Sequence, residues 1–80
     1  MRANRAYELL VRRGSRLPGA LAPSGRNDHV EIVDIESGEV VLFWDTSSRQ
    51  TGRLARALRK DLAQLEADAF VARWSQWEPS

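Results

Sequence analysis

From Ser47 to Glu66 the apolar positions recur at the spacing of an α-helix, whereas from His29 to Trp44 they follow the spacing of β-strands. Advancing ~100° per residue, Leu54, Leu58, Leu62 and Leu65 fall in one stripe of roughly 80°. Thr51 and Ala55 widen that stripe, while Arg49, Arg53, Arg56 and Lys60 gather almost opposite it. Asp45, Thr46, Ser47 and Ser48 offer a choice of N-caps, and Ser47 with Gln50 has capping-box spacing. The pattern predicts an amphipathic helix over residues 47–66.

In the stretch before it, Val30 and Ile32 share one face of a strand at His29–Ile35, and Glu31, Val33 and Ile35 share the other. A second strand at Val40–Trp44 sets Val40, Leu42 and Trp44 against Val41 and Phe43. Between them Glu36-Ser37-Gly38-Glu39 fits a four-residue turn in which Gly38 supplies a positive φ. An acidic β-hairpin over 29–45 is expected. Both of its faces are partly apolar, more than a half-solvated hairpin requires. A lone hairpin is marginal in water, so the sheet needs completing. Either a third strand comes from the Leu21 region, or a second copy pairs hairpins edge to edge about a two-fold axis.

The remaining segments have shorter patterns. Ala3, Ala6, Tyr7 and Leu10 recur at helical spacing, with Gly14 as a C-terminal stop, which predicts a helix within residues 1–14. Arg12 and Arg13 in its last turn would suit the negative end of the helix dipole. Residues 15–28 hold two prolines and two glycines and read as a basic loop. Asp68 can cap a short helix over 68–77, on which Phe70, Val71, Trp74 and Trp77 make one stripe, and Pro79 follows as a terminator. The fold class is α+β: N-terminal helix, long loop, β-hairpin, long amphipathic helix and short C-terminal helix, packed on a small antiparallel sheet.

Charge changes this picture because it comes in blocks. Residues 1–26 carry six arginines against Glu8 alone. Residues 27–45 carry six acids and no Lys or Arg, and residues 46–66 return to basic with Arg49, Arg53, Arg56, Arg59 and Lys60 against Asp61 and Glu66. The formal net charge of +1 hides this alternation. Local sign governs contacts with partners more than the sum does. Eleven arginines to one lysine, with ten alanines, fit GC-rich bacterial coding, which discounts the case for arginine-mediated recognition without removing it.

At 80 residues and 42% hydrophobic the chain makes one small globular domain with a thin margin, which self-association or a partner would help. It has no cysteine, so disulfides and thiolate chemistry are excluded. No apolar run approaches the ~20 residues needed to span a bilayer, and Glu8, Arg12 and Arg13 interrupt any signal-peptide core. A cytoplasmic protein is expected.

No motif here specifies an activity. His29 is the single histidine. A Ser-His-Asp set can be written from Ser24, His29 and Asp28, but triads are defined by geometry that nothing here supplies. Glu31 and Asp34 project to opposite faces of one strand and cannot pair. Gly14, Gly19 and Gly25 lie in a Pro-containing loop without the lysine or helix start of a phosphate cradle. Neither an enzyme, a cofactor, a metal nor a small-molecule substrate is expected. The leading expectation is a regulatory or interaction module, dimeric, that docks an acidic protein partner. Its binding residues would be Arg12, Arg13, Arg16, Arg49, Arg53, Arg56, Lys60 and Trp77. The alternative is a nucleic-acid-binding regulator contacting phosphates with the same arginines, against which stands the acidic hairpin.

Overall fold

The computed structural model of the protein describes residues 1–12 and 27–77. In chain order the elements are α1 (Ala3–Ala6), β1 (Tyr7–Arg12), β2 (Asn27–Asp34), β3 (Val40–Ser47), α2 (Ser48–Gln64) and α3 (Ala67–Trp74). The strands form an antiparallel sheet in the order β1-β2-β3, and the helices pack on one face of it. This is the expected α+β class.

The N-terminal helix is present but is a single turn. At Tyr7 the backbone turns extended, and Tyr7–Arg12, expected to continue the helix, form β1 instead. The reason is a competition between two periods. Tyr7, Leu9 and Val11 also alternate, and in the sheet they stand opposite Asp34, Ile32 and Val30. A helix of so few residues is marginal by itself, whereas the strand gains ladder hydrogen bonds and buries its inner face. The third strand therefore comes from Tyr7–Arg12, not from a second copy; Leu21 lies outside the described residues. The first turn has its own anchor, since Ala3 is fully buried and its N–H donates to the Leu65 carbonyl at 2.9 Å.

The hairpin forms where expected, with longer strands. Gly38 adopts φ +76°, and its N–H donates to the Asp34 carbonyl at 2.8 Å. Asp34 Oδ1 accepts from the N–H groups of Glu36 at 2.8 Å and Ser37 at 3.2 Å, which ties the turn down. A register shift between Ile32 and Val33 leaves Val41 unpaired in the ladder and sets Val40 opposite Val33 on the outer face, not with Leu42 and Trp44 as the alternation alone would have it.

α2 begins as its sequence demands. Ser47 is the N-cap, Gln50 N–H donates to Ser47 Oγ at 3.4 Å, and Ser47 N–H donates to Gln50 Oε1 at 3.1 Å. Thr46 is not a cap but the last inward residue of β3. Its hydroxyl meets that of Thr51 at 2.7 Å, a buried link from strand to helix. At the other end the Arg2 guanidinium donates to the Ala63 and Gln64 carbonyls, each at 3.2 Å, and satisfies two terminal acceptors of α2.

The break after α2 falls at Leu65–Glu66, and Glu66 rather than Asp68 occupies the N-cap position of α3. Asp68 sits one residue into the first turn, where its charge still suits the helix dipole. Inner-face residues Val30, Ile32 and Trp44 meet Leu54, Leu58 and Leu62 from α2, and Phe70 and Trp74 from α3, in one core. Among the described residues no helix is long and apolar enough to cross a membrane.

Candidate interaction surface

Because the leucine stripe of α2 must face the sheet, its cations are driven to the opposite side of the molecule. Arg49, Arg53, Arg56 and Lys60 are all exposed there, with Arg59 beside them. Among the described residues none of the five makes an ion pair or a side-chain hydrogen bond. Like charges one turn apart repel by a few tenths of a kcal/mol per pair, about 0.2–0.5, and among the described residues no carboxylate pairs with them to relieve that repulsion.

On the flank of this face lies a groove of about 410 Å³, lined by Gln50, Arg53, Leu54, Ala57, Trp74 and Trp77. Its aromatic wall is Trp74 and Trp77, backed by Trp44, and the three indoles stand edge-on or steeply inclined to one another. Trp44 stands 6.0 Å from Trp74 and 5.8 Å from Trp77, and Trp74 stands 5.5 Å from Trp77, centroid to centroid. The indole N–H of Trp44 donates to the Trp77 carbonyl at 3.4 Å, holding the residues after α3 against β3. Trp77 remains 37% exposed at the rim, while Trp44 and Trp74 are buried. The groove is aromatic on the side of α3 and charged where Arg53 borders it.

The orientation of Trp74 has its own cause. Asp61, only 8% exposed, accepts from Trp74 Nε1 at 3.0 Å through Oδ2, and the Arg73 Nε lies 3.4 Å from the same oxygen. A buried carboxylate on α2 thus fixes the angle at which α3 presents its tryptophans. The sequence pattern places Asp61 merely beside the cations; only the packing of α3 reveals its partner.

The residues expected to form one binding surface divide between two layers. Arg49, Arg53, Arg56, Lys60 and Trp77 share the α2 side. Arg12 does not: it lies on β1 and its Nε pairs with Glu31 Oε2 at 3.5 Å on the outer face of the sheet. The tally of charge along the chain had no means of separating the two layers. Arg13 and Arg16 lie outside the described residues. His29 and Asp28 point to opposite faces, as neighbours on a strand must: Asp28 is buried on the inner side, and His29 contacts Asp45 and stacks on Phe43 outside, with 5.4 Å between ring centroids. They do not form part of a common site, and Ser24 is outside the described residues.

No known family, curated protein or solved structure matches the chain. The groove and its charged rim therefore stand on their chemistry alone. Among the described residues no three His, Cys, Asp or Glu side chains are gathered as a metal site would require. What the surface offers is donors, positive charge and aromatic area.

Proposed function

We propose that the protein is a non-enzymatic interaction module that docks an acidic protein segment on the α2 face, with Trp77 and the adjoining groove taking an apolar side chain. The observation that carries this reading is the combination of arginines without an ion pair among the described residues with a preformed tryptophan wall. Trp and Arg are the side chains most enriched at binding hot spots. The indoles are already held by one another and by Asp61, so little ordering entropy is lost when a ligand arrives. Acidic groups in the ligand would relieve the repulsion among Arg49, Arg53, Arg56 and Lys60 and steer its approach.

The test is a titration of the protein with a synthetic peptide of Glu interspersed with Ile and Val, followed by tryptophan emission, alongside a generic DNA duplex. The reading expects saturable peptide binding that Arg53→Glu/Arg56→Glu weakens by about tenfold or more and that Trp77→Ala also weakens. Binding of the duplex alone, falling log-linearly with salt and indifferent to Trp77→Ala, would replace it with phosphate recognition. No binding to either would leave the cations as a solvated outer face.

A further inference from the structure

The sheet has a second face that the helices do not cover. Along its outer side, Glu8 stands in register with Val33, which opposes Val40, and Leu10 stands beside Glu31, which opposes Phe43. Four large apolar residues of the hairpin are open there or at its tip: Ile35 at 53%, Val40 at 51%, Phe43 at 49% and Val41 at 38% exposed. Isolated exposed apolar residues are ordinary, but a contiguous group on one strand pair marks an interaction surface.

The charge that the hairpin itself carries at its tip is of one sign. Glu36 and Glu39 lie in the turn between Ile35 and Val40, Glu8 stands opposite Val33 on the same face, and no Lys or Arg lies between residues 27 and 45; the nearest cation among the described residues is Arg5, next to Ala6, whose carbonyl accepts the Ile35 N–H at 3.0 Å. Further along, Arg12 is engaged by Glu31, and His29 by Asp45. An acidic apolar ridge thus stands on one side of the molecule, and a basic aromatic groove on the other.

We infer that the acidic partner of the Arg53/Trp77 groove is the hairpin tip of a second copy of this chain, docked head to tail, an inference that rests on the docking role proposed above. Two acidic ridges brought together about a two-fold axis would set Glu8, Glu36 and Glu39 near their own counterparts, whereas ridge against groove sets them opposite Arg49, Arg53, Arg56 and Lys60. The two surfaces belong to opposite layers, so one copy cannot offer both to the same neighbour. The contact is heterologous, and it propagates into rings or filaments instead of closing at a dimer. The charge blocks of the sequence would then be the two halves of one interface.

Sedimentation velocity of the full chain over a concentration series tests this with two variants. Arg53→Glu/Arg56→Glu disables the groove, and Ile35→Lys/Val41→Lys disables the ridge at exposed positions; circular dichroism checks that both fold. Wild type is expected to grow past the dimer, with association weakened about tenfold between 50 mM and 500 mM salt. Each variant alone is expected to be monomeric, and their equimolar mixture is expected to form a discrete 1:1 dimer, since each retains one good surface. A mixture that stays monomeric, or a wild type that stops at a dimer which both variants still form, overturns the inference. The Glu-rich peptide separates this failure from failure of the docking role. If Ile35→Lys/Val41→Lys still binds the peptide while the mixture fails, the groove has a foreign acidic partner; if it binds neither, both readings fall.

Discussion

Asp61 provides the sharpest test of how the aromatic wall is held. Its Oδ2 accepts the indole N–H of Trp74 at 3.0 Å in a site that is 8% exposed. Asp61→Ala leaves that N–H buried without an acceptor, at a cost of about 1–3 kcal/mol. Trp74→Phe removes the donor from a charged acceptor, a bond of about 1.5–3 kcal/mol. For a domain of this length 1 kcal/mol moves Tm by about 4–8 °C, so a loss of about 2 kcal/mol lowers it by about 8–16 °C. Thermal unfolding followed by circular dichroism measures each variant and the double variant. If the bond is what couples them, the double variant falls short of the sum of the singles by about 1–2 kcal/mol. Agreement with the sum to within about 0.5 kcal/mol would refute the reasoning. Arg73→Ala is the control: its side chain is largely exposed, and the exposed end of an ion pair contributes at most about 1 kcal/mol.

Two further substitutions probe the backbone and the outer face. Gly38→Ala places an L side chain at φ +76° and is expected to destabilise by about 1–2 kcal/mol, whereas Gly52→Ala, whose added Cβ meets nothing within 4 Å inside α2, is expected to stabilise by up to about 1 kcal/mol; urea midpoints compare the pair. His29→Ala removes a partly exposed ring from the outer sheet face and is expected to change stability by no more than about 0.5 kcal/mol, which the same urea midpoint checks.

The sequence discloses α2 and the hairpin because each carries its own stop signals. Seventeen residues of one period, with Ser47 and Gln50 at the start, leave no rival conformation. Gly38 between two alternating runs does the same for the turn. Tyr7–Arg12 carries no such signal. Its apolar residues satisfy both periods, and the decision comes from pairing with β2, which a local window does not contain. The site divides along the same line. The basic face of α2 follows from amphipathic geometry, so Arg49, Arg53, Arg56 and Lys60 were legible. The groove depends on where α3 docks, and hence on Asp61 and Trp44, which are far apart from Trp77 in sequence. Arg12 falls on the opposite layer from the α2 cations because a strand stands where the helical spacing predicts a helix. The open sheet face was foreshadowed by the alternation of Val41 and Phe43 against Leu42 and Trp44, which leaves apolar residues on both sides of β3.

The central claim is that the α2 face is a docking surface and not a solvated exterior. Its most direct test is a set of amide correlation spectra of nitrogen-labelled protein titrated with the Glu-rich peptide, reading the three indole N–H signals and the backbone of α2. The account predicts that the Trp77 indole and the amides from Gln50 to Ala57 move together and saturate, while the amides from His29 to Glu31 stay still. Shifts confined to the sheet, or none at peptide concentrations well above the protein, would contradict it.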